Sequence, residues 1–391
     1  MSDATGRRTG QNPTLPLIVA DATLREAAAA IDRGAIGIAL VVRDDDSLIA
    51  TITDGDIRRA MLDGVELDAE IGVLLERKRG TAYETPATAP ETATDAELLA
   101  AMVKRRIRQL PVVDGQGCPV RVATIDDLAP RSTTSPSPTT RAVTDRGGPM
   151  TAVVMAGGFG SRLGDLTAQT PKPMLHVGDR PLLEHTVERL REIGVASIAI
   201  STHYLAERIR EHFGAGERHG VRITYLDERA PLGTAGCLSM LGEPPPGPLL
   251  VLNGDILTSV DFNAMRHFHD EHAASMTVAV RKHSIAVPYG VAECEGAVIR
   301  SLVEKPTYSV LVNAGMYVIE RHLLERIPEG RRYDMTQLID DARESGEPVC
   351  AFPIREYWLD IGLPEDYERA QREAPEVITQ ATAPINERLA S

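Results

Sequence analysis

Two cations and two acids in the C-terminal half of this sequence have the types and settings that phosphoryl chemistry needs. Arg162 closes the glycine-rich stretch Met155-Ala-Gly-Gly-Phe-Gly-Ser-Arg-Leu163, and Lys172 stands between prolines in Thr170-Pro-Lys-Pro-Met174. Glycines let a backbone approach a phosphate and offer it N–H groups, although this turn lacks the Lys-Ser/Thr ending of a P-loop. A lysine on a stiff, extended Pro-Lys-Pro stretch is oddly placed for a solvated surface charge. Beside the glycine turn, the two cations suit a triphosphate whose charge must be neutralised while one bond breaks. Asp255 ends Leu250-Val-Leu-Asn-Gly-Asp255, and Asp360 lies within Tyr357-Trp-Leu-Asp-Ile-Gly362. An acid at a strand end beside glycine is a frequent holder of a hard divalent cation near phosphate. Alone, each acid is more simply a solvated side chain or a helix cap; with the cations they complete a metal-assisted phosphoryl-transfer set. His267, His269 and His272 more simply line a helix face than bind metal.

The surrounding pattern is one of short apolar strands alternating with helices. Strands are expected at Thr151 to Met155, Ser197 to Ser201, Val221 to Tyr225 and Leu249 to Leu252. Helices are expected at Pro181 to Ile193, with Pro opening it, and at Leu205 to Phe213. This alternation predicts an α/β domain with a mixed, mostly parallel sheet covered on both faces. Ligands of such sheets lie beyond the carboxyl ends of the strands, where the residues above stand.

The chain has 391 residues, of which 43% are hydrophobic and 25% charged, the balance of globular protein with room for two domains. A formal net charge of −14 provides no counterion-release drive, so nucleic acid is not an expected partner. The longest apolar run, Ala35 to Val42, is too short for a membrane span, and the stretch after Arg7 and Arg8 is cut by Asp21, so neither a membrane nor a secretory signal is expected. Cys118, Cys237, Cys294 and Cys350 are widely spaced, which argues against a disulfide framework and for a reducing cytoplasm.

From Arg131 to Thr140 every residue after the arginine is Ser, Thr or Pro. Such a run cannot offset its ordering entropy and reads as a linker, taken here as 131–149. Before it lies an internal repeat: a shift of 71 positions places Ala27–Ile31 on Leu98–Met102, Val41-Val42 on Val112-Val113, and Thr53-x-x-Asp56 on Thr124-x-x-Asp127. Either Thr-x-x-Asp alone is an ordinary helix cap. Two copies in one register, each behind a strand, resemble a tandem pair of CBS domains, as do Ile52-Thr-Asp-Gly-Asp-Ile-Arg-Arg59 and Arg108-Gln-Leu-Pro-Val-Val-Asp114. The resemblance implies a small α+β pair, 13–70 and 71–130, that can hold a regulatory purine nucleotide at Thr53, Asp56, Thr124 and Asp127.

From Thr151 to Arg372 the motifs resemble the sugar-1-phosphate nucleotidyltransferases, with a GT-A-like, Rossmann-like domain expected over 150–375 and a polar tail over 376–391. The likeness is carried by the glycine turn, T-P-K-P-M, Pro231-Leu-Gly-Thr-Ala-Gly236, N-G-D, Val303-Glu-Lys-Pro306, Asn313-Ala-Gly-Met-Tyr317 and W-L-D-I-G, in that order. It implies that Gly157, Gly158, Gly233 and Thr234 hold the nucleotide, Arg162 and Lys172 the triphosphate, and Asp255 with Asp360 a Mg²⁺ ion. Gly290, Glu304, Lys305 and Asn313 would receive the sugar phosphate. After Arg372 no hexapeptide repeat is read, so no left-handed β-helix is expected. A homo-oligomer is expected.

The implied reaction has an oxygen of a sugar 1-phosphate attack the α-phosphorus of a nucleoside triphosphate while pyrophosphate leaves. Phosphate monoesters are sufficient nucleophiles, so no Ser/His/Asp triad is needed. No Gln occurs between Ile198 and Gly236, where uridylyl and thymidylyl members often read the base; Asp227-Glu228 stands there instead. A carboxylate accepts from guanine N1–H and the N2 amino group, which favours GTP over UTP or dTTP. The acceptor stays open among hexose, amino-sugar, heptose and cyclitol phosphates. Competing expectations are a CBS-regulated nucleotide-sugar-binding protein without turnover and a glycosyltransferase; Arg162 and Lys172 argue against both, because a bound diphosphate sugar needs neither.

Overall fold

The computed structural model describes residues 15–105, 107–128, 150–242 and 247–382, and the described chain forms two compact units, within residues 1–144 and 145–382. The stretch 131–149 expected as a linker lies outside the described residues.

The first unit repeats itself. Its first half runs β1 (Leu17–Val19), α1 (Leu24–Gly34), β2 (Ile38–Val42), β3 (Leu48–Thr53), α2 (Asp54–Leu62) and α3 (Gly72–Lys78). The second runs β4 (Ala89–Pro90), α4 (Asp95–Arg105), β5 (Gln109–Val113), β6 (Pro119–Thr124) and α5 (Ile125–Leu128). Each half is a three-stranded sheet in sequential order, parallel then antiparallel, with a bulge at the equivalent place, Val41/Val42 and Val112/Val113. Thr23 with Glu26 and Thr94 with Glu97 cap the equivalent helices, each a Thr-x-x-Glu box whose side chains satisfy orphan N–H groups.

The boundary expected at residue 70/71 does not match the packing. Ile71 and Leu74 are buried in the first core with Leu24, Ile31, Ile52 and Ile57, whereas Leu98, Met102, Leu110 and Val112 form the second. Leu74 of α3 is buried in this first core and Leu75 packs against it, so α3 belongs with α1 and α2.

The second unit is built on a seven-stranded sheet. Its elements are β7 (Thr151–Met155), the short β8 (His176–Val177) and β9 (Arg180–Pro181), α6 (Leu182–Glu192), β10 (Ser197–Thr202), α7 (Ala206–Phe213) and β11 (Arg222–Asp227). There follow α8 (Gly233–Gly236), β12 (Leu249–Asn253), β13 (Ile256–Thr258), α9 (Phe262–Glu271), β14 (Met276–Ala286), β15 (Val291–Glu295), β16 (Val298–Val303) and β17 (Thr307–Ile319). The chain then forms α10 (Arg321–Leu324), α11 (Met335–Glu344), β18 (Val349–Pro353), β19 (Trp358–Asp360) and α12 (Pro364–Thr382). The sheet order is β11-β10-β7-β12-β17-β14-β18. Pairing is parallel except where β17 runs antiparallel to β12 and β14, so the sheet is mixed and mostly parallel. Its central strands are apolar between Thr151 at the start of β7 and Asn253 at the end of β12, as two-sided burial requires: Ala152, Val153, Val154, Leu249, Leu250 and Val251 are all buried.

Helix α12 continues to Thr382, so the first residues of the expected tail are helical. Residues 383–391 lie outside the described residues. His269 sits on α9 and bonds Thr277 within the core, 2.9 Å from its hydroxyl, and His267 belongs to the same helix. Among the described residues no helix is long and apolar enough to cross a membrane.

Candidate active site

The site residues stand where β7, β11, β12 and β19 end. Strand β12 ends at Asn253; Gly254 then donates its N–H to the Met155 carbonyl, at 2.8 Å, and carries the chain to Asp255. Strand β13 follows at once and pairs antiparallel with β19, Ile256 facing Asp360. Ile361 N–H donates to the Asp255 carbonyl at 3.0 Å. This small ribbon brings together two acids that are remote in sequence.

Lys172 neutralises them in part. Its Nζ donates to Asp255 Oδ2 at 2.5 Å and lies 3.8 Å from Asp360 Oδ1, too far for a hydrogen bond. The side chain is 9% exposed. The Pro-Lys-Pro stretch is not extended as expected: Lys172–Met174 forms one 3₁₀ turn after Pro171, closed by Met174 N–H to the Pro171 carbonyl and Leu175 N–H to the Lys172 carbonyl. Proline sets the entry angle of that turn, and the turn directs the lysine inward.

Asp255 Oδ1 and Asp360 Oδ1 are buried without a hydrogen-bond partner. Burial, and next the neighbouring Asp255, push the Asp360 pKa up, against the pull of Lys172 and Arg162. Two carboxylates with one bonded lysine and two orphaned oxygens are suited to a divalent cation. Among the described residues no group of three or more His, Cys, Asp or Glu could hold a metal, so such an ion would take its other ligands from phosphate oxygens and water. Arg162 stands at the same place. It lies on the 3₁₀ segment Ser161–Thr167 with Nη1 3.9 Å from where a Cβ on Gly362 would be, and Asp360 Oδ1 is equally near that point. The structure therefore brings Arg162, Lys172, Asp255 and Asp360 together.

The glycine turn meets β11. A Cβ at Gly157 would stand 2.8 Å from Glu228 Oε1 and 3.5 Å from the His203 Cβ, so only glycine lets the turn lie against that carboxylate. Glu228 is held in place: its Oε2 accepts from Leu232 N–H at 2.9 Å, and its carbonyl lies 2.8 Å from His203 Nδ1. Asp227, the neighbouring acid on β11, is turned away and bonded to Thr202 and Arg210. Strand alternation thus leaves Glu228 at the turn and removes Asp227 from it. Gly158 is exposed with open space at its Cβ position. Phe159 packs edge-on against His203 and tilted against Tyr204, an aromatic wall beside Glu228 that residue spacing had not marked.

Gly233 and Thr234 are bound to the loop before α11. Gly233, at φ +79°, lies against Tyr333 and Asp334. Thr234 N–H donates to Asp334 Oδ1 at 3.1 Å, and its hydroxyl accepts from Met335 N–H at 2.7 Å. Their side of the turn is thereby fixed by residues 333–335.

The expected sugar-phosphate residues form a second group. Gly290 faces Glu304, whose Oε2 would lie 3.0 Å from a Cβ there, and Lys305, at φ +47°, donates its N–H to the Tyr289 carbonyl at 3.2 Å. All three stand at the base of the β15–β16 hairpin. Asn313 lies farther along β17, where its Oδ1 accepts from Gly315 N–H at 2.9 Å. No hydrogen bond or ion pair joins Glu304 or Lys305 to the Lys172 cluster among the described residues.

In the first unit the Thr-x-x-Asp pairs are helix caps. Thr53 and Asp56 bond each other reciprocally, and Asp56 also holds Lys78, at 2.7 Å, and Arg59, at 2.8 Å. The Thr124 hydroxyl donates to Asp127 Oδ2 and accepts from the Asp127 N–H, and this pair is more exposed.

Residues 151–376 match the family model described as nucleotidyl transferase, and residues 12–63 and 83–131 match the CBS domain model. The mannose-1-phosphate guanylyltransferase catalytic subunit beta of Danio rerio is 34% identical over 226 residues, covering 56% of this chain and 62% of its own. The mannose-1-phosphate guanyltransferase of Schizosaccharomyces pombe is 32% identical over 253 residues, covering 60% of this chain and 69% of its own. The chain thus spans less than two thirds of the length of the first of these relatives and 69% of the second. Among solved structures, HddC from Yersinia pseudotuberculosis is 25% identical with a TM-score of 0.46, covering 57% of this chain and 99% of that one.

Proposed function

The chain belongs to the nucleotidyl transferase family, and from that premise we propose that it transfers GMP from GTP to a sugar or sugar-like 1-phosphate, releasing pyrophosphate. The observation that carries this reading is the convergence of Lys172 on the paired carboxylates Asp255 and Asp360, with Glu228 against the Gly157 turn. The guanylyltransferase names of the relatives support the same base.

Glu228 accepts from guanine N1–H and the N2 amino group, and the backbone of Gly157, Gly158, Gly233 and Thr234 surrounds the nucleoside. Arg162 and Lys172 hold the triphosphate. Lys305 holds the phosphate of the acceptor, while Gly290, Glu304 and Asn313 line the sugar. A phosphate oxygen of the acceptor then forms a bond to the α-phosphorus as the bond from that phosphorus to the bridging oxygen breaks. The electron pair leaves with pyrophosphate, and Arg162 and Lys172 stabilise the charge that develops. Asp255 and Asp360 would hold Mg²⁺, which when bound neutralises phosphate charge and aligns the α-phosphate. No general base is required, because the attacking oxygen is already anionic near neutral pH.

Pyrophosphate release measured over a matrix of GTP, ATP, UTP and dTTP against sugar and cyclitol 1-phosphates tests the proposal. A clear GTP row supports it. A UTP or dTTP row would overturn the base, and an empty matrix would overturn the reaction.

A regulatory purine nucleotide on the CBS pair is a second reading, favoured at the second copy. Asp56 is already held by Lys78 and Arg59, whereas the described bonds of Asp127 are with Thr124 alone. Two further parts of the proposal concern setting. None of the four cysteines is joined in a disulfide, as suits a reducing cytoplasm. Ile299, Leu302 and Val303 on β16 are each at least 50% exposed, which supports pairing with a second copy of the chain; sedimentation would report it.

A further inference from the structure

Three side-chain oxygens near the end of β12 are buried without a partner: Asp255 Oδ1, Asp360 Oδ1 and Asn253 Oδ1. The two carboxylate oxygens would be accounted for by the cation proposed above. The amide oxygen is not, and a buried acceptor left unbonded in a folded protein calls for an explanation.

Its direction narrows the choice. Strand β12 lies between β7, which leads to the Gly157 turn, and β17, which carries Asn313. The Asn253 side chain is turned to the β17 side. A Cβ on Gly315 would stand 2.5 Å from Asn253 Nδ2 and 2.8 Å from its Cγ. Gly315 has φ +71°, so glycine is required both by its backbone and by the amide lying on it. The N–H of Gly315 is engaged with Asn313 Oδ1 and is not free for Asn253. The amide of Asn253 therefore lies against Gly315, two residues after Asn313 on β17, on the half of the sheet away from Glu228.

We infer that Asn253 reads the acceptor: its Oδ1 takes a hydrogen bond from a hydroxyl of the sugar or cyclitol 1-phosphate. This rests on the reaction proposed above. A donor is required because an amide oxygen only accepts, and the nucleobase is engaged on the opposite side of β12. The acceptor would supply in the complex the bond that the free enzyme lacks.

The test compares wild type with Asn253→Leu, nearly the same shape without the acceptor, and with the smaller Asn253→Ala. Each is assayed on the best acceptor and on its set of monodeoxy analogues. The expected loss in kcat/KM on the full acceptor is about 10- to 100-fold, with GTP KM within about threefold of wild type. On one monodeoxy analogue, wild type and variants should agree within about threefold, because the donor is gone. Unliganded Asn253→Leu should melt at or above the wild-type temperature, since it removes an unsatisfied polar atom. An equal loss on every analogue, or a destabilised Asn253→Leu with intact acceptor discrimination in Asn253→Ala, would make the residue structural and overturn the inference. Wild type without turnover on any GTP–acceptor pair would remove the proposed reaction and this role with it.

Discussion

Ile361 donates its backbone N–H to the carbonyl of Asp255 at 3.0 Å, and that bond places Asp360 beside the lysine that already holds Asp255. The two acids are thus set by main-chain pairing of β13 with β19, not by contact between their side chains. A ribbon of this kind keeps Asp360 close to Asp255 although burial and the Asp255 charge both push the Asp360 pKa up. Lys172 bonds one of them, and Arg162 stands beside the other.

Lys172→Ala and Asp255→Ala are each expected to lower turnover by about a hundredfold or more, by loss of charge stabilisation in the transition state. Pyrophosphate release gives the rate, and circular dichroism checks the fold. Chelation of divalent cations should abolish the same activity and Mg²⁺ restore it. Full turnover in either variant would remove the phosphoryl-transfer assignment.

Glu228→Gln separates base reading from folding. Its amide oxygen can still accept from Leu232 N–H, so the loop should persist. Kcat/KM for GTP should fall by about 10- to 100-fold while UTP changes little, since a carboxylate no longer faces the guanine donors. Asp227→Asn should leave base preference unchanged, because Asp227 is spent on Thr202 and Arg210. A shift in preference in Asp227→Asn alone would reverse the two roles.

Acid should weaken the first unit through Asp56. Burial by itself would raise its pKa, but the Lys78 charge and hydrogen bond, the Thr53 N–H and Arg59 outweigh burial and hold it below the ordinary carboxylate value. A depressed folded pKa means the stabilisation is present above the unfolded value of about 3.9 and is lost as pH falls through the folded one. Urea unfolding of the first unit at pH 7 and at lower pH should show the midpoint dropping below about pH 4. Lys78→Met should lower the midpoint at pH 7 and flatten this acid dependence; an unchanged acid slope would assign it to other carboxylates.

Thiol chemistry should divide the cysteines. Cys294 is exposed, while Cys237 is fully buried with its pKa pushed up to about 12 by burial and then by Glu228. Only the thiolate reacts, so iodoacetamide at pH 8 should label Cys294 in the native protein and spare Cys237 until denaturant is added. Peptide mapping reads the outcome, and early labelling of Cys237 would show that the core beside Glu228 opens in the native state.

A chain beginning at Gly148 should fold and keep the transferase reaction. The buried clusters of the second unit draw on residues from Val153 onward, and every residue assigned to chemistry lies beyond Gly148. A purine nucleotide acting at Asp56 or Asp127 should alter KM or kcat of the full chain and leave the shortened one unaffected. An insoluble product would show that the second unit depends on residues before Gly148.

Much of this protein was legible from the sequence by itself. Strand–helix alternation is local, so β7, β10, β12, α6 and α7 emerge within a residue or two from apolar runs and their punctuation. The 71-residue repeat is likewise local information copied twice, and it fixes equivalent strands, bulges and caps in the first unit. Residue type also singles out Arg162, Lys172, Asp255 and Asp360, which the fold brings to one place. Tertiary structure decided the rest. Assignment of α3 to the first core depends on Leu74 sharing that core with residues as remote as Leu24 and Ile31, which no window around Leu74 contains. The choice of Glu228 over Asp227 depends on the phase of β11 against the glycine turn, which strand pairing sets. The inward lysine needed a 3₁₀ turn that Pro-Lys-Pro permits but does not require. Asn253 was visible only as the first letter of N-G-D; its unbonded oxygen follows from Gly315 on a distant strand, because hydrogen-bond satisfaction is a property of packed neighbours and not of spacing.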